Sequence, residues 1–234
     1  RTRTCCNREL LEGSSVKFIA TATIGFDHID VDYCREAGIA WSNCPGCNAG
    51  GVEQYVHAAL LLLKRLRGMK PEDTCMGIVG VGHVGSRKCD IITFHTPLYR
   101  TGMYKTFHLA DASFFASLQR RPVIINTCRG EVIDTPALLS ALKTGQISDA
   151  IIDTWEHEPD IDRELLQAVF LGTPHIAGYS ADGKANATRM ALEAVCRFFH
   201  IDASFKIVPP DMPPMALSAD KEEAFLQVYN PQRD

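Results

Sequence analysis

Short apolar runs alternate with turn residues along the first fifty positions. Residues 16–20 read as a buried strand, 29–37 as a short helix stopped by Gly38, and 39–42 as a second strand closed by the loop 43–49. At residue 52 the period changes. Val52, Tyr55, Val56, Ala59, Leu60 and Leu63 recur at three- and four-residue steps, which predicts a helix over 52–66. Its apolar face is wide, as in a helix buried between layers, and it is placed to link two domains. Ile78 and Val79 then form a short apolar strand, and 89–96 and 123–126 read as two more. A helix is predicted over 135–143, opening at Thr135-Pro136 and stopping at Gly145. Strands follow at 150–153 and 168–171, and a second long helix at 184–200. This alternation predicts a parallel α/β sheet. Residues 208–214 hold four prolines and read as an extended linker. The stretch behind it is too short for a core of its own.

The chain has 234 residues, 46% hydrophobic and 22% charged, with a net charge of −4. These values exclude a wholly disordered chain and leave no electrostatic footprint for nucleic acid or an anionic membrane. The longest apolar stretch, 58–63, is far short of the ~20 residues that cross a bilayer. Arg1, Arg3, Arg8 and Glu9 leave no room for the apolar region of a secretory signal. Nine cysteines, an odd count in a chain this long, suit reduced thiols and a cytoplasmic location. Cys44 and Cys47 have redox or zinc spacing, but no second ligand pair of similar spacing accompanies them, and they lie in a Pro/Gly/Asn turn. They read as loop residues, and no metal is expected.

The most informative stretch follows the strand at Ile78 and Val79. Gly80, Gly82 and Gly85 fit the dinucleotide pattern G-x-G-x-x-G, with Val81, His83 and Val84 between them. The first glycine permits the tight turn, the second lets a pyrophosphate approach the backbone, and the third lets the helix pack on the strand. The helix N-terminus then offers free N–H groups to the phosphates. A Rossmann unit continues with a helix and a second strand ending in an acid that binds the ribose, about 20 residues on. Here Arg87 is followed at once by Lys88-Cys89-Asp90 and a new strand. The helix, the second strand and its acid are absent, so a segment is expected to be missing after Arg87.

Three polar residues stand at or just beyond the carboxyl ends of successive predicted strands, where open α/β sheets bind ligands. They are Arg129, whose planar fork suits a carboxylate, Glu158, and His175, which a neighbouring carboxylate equips to shuttle a proton. With a dinucleotide loop they fit one chemistry. A hydride leaves a carbon bearing a hydroxyl, the histidine takes the hydroxyl proton, and the arginine holds the adjacent carboxylate.

The motifs Ile78 to Ser86, Asn126-Thr127-Cys128-Arg129-Gly130, Asp153-Thr154-Trp155-Glu156-His157-Glu158-Pro159 and His175 occur in the order and spacing of a known family. On them the chain resembles the D-isomer-specific 2-hydroxyacid dehydrogenases. Thr21 to His28, Pro45 to Ala49, Phe94 to Tyr99, Tyr104 to Asp111 and His175 to Lys184 point to one branch, which acts on a small phosphorylated hydroxy acid.

The resemblance implies a Rossmann-type parallel-sheet cofactor domain and a flavodoxin-like α/β substrate domain, with the site in the cleft between them. The substrate domain would hold residues 1–54, its N-terminal part missing, and the return helix 179–200. The NAD-binding domain would hold 55–178, and 201–234 would be a linker and a truncated C-terminal dimerisation segment. Arg129 would bind the substrate carboxylate, Glu158 would orient His175, and His175 would be the acid–base group. NAD would be held by Gly80, Gly82, His83, Val84, Gly85, Thr96, Thr127, Asp153 and Gly178. Thr2, Thr23 and Tyr179 match substrate contacts, and a homodimer is expected. The rivals are another D-2-hydroxy acid, such as 3-phosphoglycerate, at the same three residues, and a dinucleotide-sensing protein without turnover.

Overall fold

A computed structural model describes residues 4–80 and 88–233. The chain divides into two compact units. One comprises Arg1–Glu53 with Gly178–Met215, and the other Gln54–Ala177 with Ala216–Asp234.

In the first unit, β1 (Phe18–Ala20) and β2 (Ala40–Ser42) pair in parallel with Phe18 opposite Ala40. Helices α1 (Arg8–Leu11) and α2 (Val31–Glu36) each start at a side-chain cap: Asn7 accepts from Leu10 N–H and Asp30 from Tyr33 N–H. The Asp30 cap is why α2 begins two residues later than its apolar pattern suggests. Leu11, Ile29, Tyr33, Cys34 and Ile39 form a small core. Cys44 and Cys47 pack in a second cluster with Ala187. The Cys44 thiol contacts the carbonyls of Thr21 and Ala187, both at 3.3 Å, and burial pushes both thiols up.

The second unit is built on five parallel strands. They are β3 (Met76–Val79), β4 (Ile91–Phe94), β5 (Val123–Asn126), β6 (Asp149–Ile152) and β7 (Leu171–Gly172), adjacent in that order. Alternation along the strands builds two cores. Ile92, Phe94, Ile124, Ala150 and Ile152 face Phe115 of α4 (Ala112–Ala116), Leu138 of α5 (Thr135–Thr144) and Leu165 of α6 (Arg163–Ala168). Ile91, Val123, Ile125 and Ile151 face Tyr55 and Leu62 of α3 (Ala49–Arg67) and Leu226 of α8 (Lys221–Val228). The division between the units falls within α3, after Glu53.

Residues 168 and 169, read from sequence as the start of a strand, are not one. Ala168 ends α6, whose cap Asp162 accepts from Leu165 N–H, and the strand is only Leu171–Gly172. The helix predicted at 184–200 is α7 (Ala181–Phe199). It begins three residues earlier because Ser180 caps it through Gly183 N–H, and it stops at His200 in the left-handed region. Helix α8 packs Leu226 into the sheet, so the tail shares the second unit's core. Among the described residues β3 is an edge strand, with Met76 36% and Ile78 39% exposed. Parallel neighbours ordinarily need a crossover of a dozen or more residues. Only residues 80–90 connect β3 to β4.

Candidate active site

The carboxyl ends of β3, β4 and β5 meet tightly. Gly80, just past β3, has φ 121°, open to glycine alone, and a Cβ there would lie 2.7 Å from the His95 carbonyl oxygen and 3.3 Å from the Thr96 methyl. His95 Nε2 lies 2.9 Å from Thr93 Oγ1, and burial holds this imidazole below the usual histidine range. After β5, buried Asn126 clasps the turn: its Oδ1 accepts from Cys128 N–H at 3.2 Å and its Nδ2 donates to Arg129 O at 3.0 Å. Half-buried Arg129 donates from Nη1 to Cys128 O at 2.8 Å. Burial pushes the Cys128 thiol up.

Thr127 Oγ1 is buried without a hydrogen-bond partner. A buried hydroxyl left unmet is costly, so it marks a place for a ligand's polar atom. Together with Gly80 and Thr96 it fits a dinucleotide at the strand ends. Gly82, His83, Val84 and Gly85, and the substrate candidate Thr2, lie outside the described residues.

Asp153 directly follows β6 and is 1% exposed. Its Oδ1 accepts from the Thr173 hydroxyl and from Ile176 N–H, both at 2.7 Å, and its Oδ2 accepts from Ala177 N–H at 3.0 Å. Tyr55 OH completes the chain by donating to Thr173 Oγ1 at 2.6 Å, and burial pushes its ionisation far up. Asp153, read from sequence as a cofactor contact, is therefore also the anchor of the turn that carries His175.

His175 and Glu158 form a hydrogen-bonded pair. His175 Nδ1 lies 3.1 Å from both Glu158 oxygens, with the side chains 28% and 14% exposed. Glu158 Oε1 also accepts from Trp155 N–H at 2.8 Å, and Trp155 Nε1 donates to Thr173 O at 2.9 Å. His175 itself holds φ 60°, a left-handed conformation that costs a non-glycine residue energy. Arg129, Glu158 and His175 thus follow adjacent strands β5, β6 and β7.

Sequence reading missed a second pair beneath this one. Glu156 is buried, and its carboxylate accepts from His108 Nε2 at 2.7 Å and from Thr135 N–H at 2.9 Å. Burial opposes its charge, but those two donors win and hold the carboxyl below the usual range. Asp134 Oδ1 lies 3.6 Å from His108 Nδ1. Among the described residues these three are the one cluster with metal-ligating spacing.

In the first unit, Thr23 Oγ1 bonds Gly25 O and Thr21 Oγ1, both at 2.7 Å. Gly178 packs on Asn48 so closely that a Cβ would lie 2.0 Å from Nδ2. Tyr179 is exposed, with Lys184 Nζ 3.5 Å from its ring centroid.

Known proteins resemble this chain in sequence and in fold. Residues 86–177 match the model of the D-isomer specific 2-hydroxyacid dehydrogenase NAD binding domain. An erythronate-4-phosphate dehydrogenase of Bacteroides thetaiotaomicron is 56% identical, over all of this chain and 78% of its own length. That of Cronobacter sakazakii is 39% identical, over all of this chain and 74% of its own. The alignment to the Bacteroides relative runs over 271 positions, 37 more than this chain's 234 residues, a surplus internal to the match. Among solved structures, D-mandelate dehydrogenase of Rhodotorula graminis has a TM-score of 0.72 at 24% identity, covering 89% of this chain and 81% of its own. D-lactate dehydrogenase of Aquifex aeolicus, complexed with NAD and lactic acid, has a TM-score of 0.69 at 23% identity, covering 85% and 81%.

Proposed function

The chain belongs to the erythronate-4-phosphate dehydrogenases of the D-isomer-specific 2-hydroxyacid dehydrogenase family, and from that premise we propose that it oxidises 4-phospho-D-erythronate at C2 to 2-oxo-3-hydroxy-4-phosphobutanoate. It is an NAD-dependent oxidoreductase, and in this branch the step serves pyridoxal 5′-phosphate synthesis. The observation that carries the reading is the Glu158–His175 pair, set at the strand ends beside the turn that bears Arg129.

Bound NAD supplies the hydride acceptor, and Gly80, Thr96 and the unmet hydroxyl of Thr127 are the described residues that would hold it. Arg129 binds the substrate carboxylate and orients C2. Glu158 engages His175 Nδ1, which leaves Nε2 to take the C2 hydroxyl proton as the C2–O bond becomes a carbonyl. The carboxylate stabilises the imidazolium so formed. In the reverse direction His175 returns the proton. Asp153 holds the turn behind His175 in place. Thr23 and Tyr179 are the substrate contacts that the family resemblance implies. The enzyme works in the cytoplasm as a homodimer. Among the described residues no helix is long and apolar enough to cross a membrane.

The test is turnover of 4-phospho-D-erythronate against 3-phosphoglycerate with NAD. Faster reduction of NAD by the first acid supports the assignment. A preference for 3-phosphoglycerate overturns the substrate. Absence of turnover with either overturns catalysis by this chain.

A further inference from the structure

We propose that His108 and Glu156 are positioning residues: their hydrogen bond pins the loop that presents Glu158 to His175 and locks it to the segment that carries Arg129. The proposal rests on the catalytic reading above and adds two residues to it.

Glu156 lies in the loop 153–160, one residue after Trp155 and two before Glu158. Glu158 depends on that backbone, since its Oε1 accepts from Trp155 N–H at 2.8 Å. The Glu156 side chain has different partners. It is buried, and its two oxygens take one donor each from two separate segments: His108 Nε2 at 2.7 Å and, at the start of α5, Thr135 N–H at 2.9 Å. The connection from β5 to α5 is the one that carries Arg129. The same loop is also pressed on that connection directly, because a Cβ on Gly130 would lie 1.9 Å from the Trp155 carbonyl carbon. One carboxylate and one glycine thus fix the Glu158 loop against the Arg129 turn.

His108 is held for this task. Its backbone N–H donates to Glu131 O at 2.8 Å, its ring stacks on Phe107 with centroids 3.9 Å apart, and its φ is 51°. A left-handed histidine persists only where its surroundings over-determine it. A bond between charged or ionisable groups inside the protein is stronger than one in water, so the pair is a stiff strut. With 2.7 Å between Nε2 and Oε1, the two atoms meet as donor and acceptor.

The test compares His108→Ala, His108→Gln and Glu156→Ala in the full chain. Glutamine offers an N–H donor where Nε2 lies, and both His108 variants meet the same φ, so their difference isolates the strut. Three quantities are read: kcat and KM for 4-phospho-D-erythronate, NAD affinity, and backbone hydrogen exchange across residues 153–160. His108→Ala and Glu156→Ala should lower kcat about tenfold or more, on the scale that small misplacements of catalytic groups cost. NAD affinity should fall much less than kcat, since Gly80 and Thr96 lie outside the segments the strut joins and the Asn126 side chain holds the Thr127 turn on its own. Exchange in the loop should quicken, and His108→Gln should restore most of the kcat and the slow exchange. Wild-type kcat and exchange in His108→Ala overturn the proposal, as does a glutamine variant no better than alanine. So does activity lost to a chelator and regained with zinc, which would make the cluster a metal site. If the wild type turns over no acid, the catalytic reading fails, and the exchange comparison still decides the strut.

Discussion

Replacing Gly130 by alanine should cripple the enzyme without touching a reacting group. The new Cβ would sit 1.9 Å from the Trp155 carbonyl carbon, 2.1 Å from its oxygen and 2.3 Å from Glu156 N. Ordinary contact begins near 3.4 Å, so one peptide must retreat by roughly 1.5 Å, and every atom in the way is backbone. The peptide that must move joins Trp155, whose N–H holds Glu158 Oε1, to Glu156. Overpacking of this kind costs about 1–3 kcal/mol. A chain of this size loses about 2–4 °C of Tm per kcal/mol, so Tm should fall by roughly 2–12 °C. Displacing the Glu158 loop by more than 1 Å should cost about 10² in kcat. Thermal unfolding followed by steady-state kinetics, well below the lowered Tm, separates the two effects. A Gly130→Ala protein with wild-type Tm and kcat would refute the close packing on which the positional argument depends.

His175→Ala should lower kcat by about 10²–10⁴ and leave NAD affinity unchanged, read by kinetics and by ligand titration. Asp153→Asn turns one accepting oxygen of the His175 anchor into a donor facing N–H groups. It should destabilise the fold by about 1–3 kcal/mol in denaturant titration, with a loss of kcat. The Glu156 carboxyl is held low in the folded state, so its contribution to stability is full above its ordinary value of 4.5 and is lost as pH falls through the lower folded value. Unfolding midpoints measured from neutral pH downward should therefore fall in that acidic window, and less steeply in Glu156→Gln.

The elements that sequence revealed are those with a strong period. Strands β4 and β5 are buried on both faces, so Ile91, Ile92, Ile124 and Ile125 stand as unbroken apolar runs. Helix α3 repeats its apolar face over five turns. Helix α6 escaped because its apolar face toward the core is essentially Leu165, and the neighbouring Val169, Phe170 and Leu171 outweigh it as a strand signal. Arg129, Glu158 and His175 were legible because each stands beside a strand end in a recognisable motif. His108 and Glu156 were not. They lie 48 residues apart, neither belongs to a pattern of its own, and only the folded chain brings them to 2.7 Å. The anchoring role of Asp153 was hidden for the same reason, since two of its three donors are backbone N–H groups.

Hydride transfer from a phosphorylated 2-hydroxy acid to NAD, with His175 as the base, is the step on which every role proposed for these residues depends. The most direct measurement is the initial rate of NADH formation by the purified chain with 4-phospho-D-erythronate, followed by the absorbance of the reduced nicotinamide and repeated with His175→Ala. A saturable rate is expected in the wild type, and about 10²–10⁴ less in the variant. No NADH above the enzyme-free rate, or equal rates in the two proteins, would contradict it.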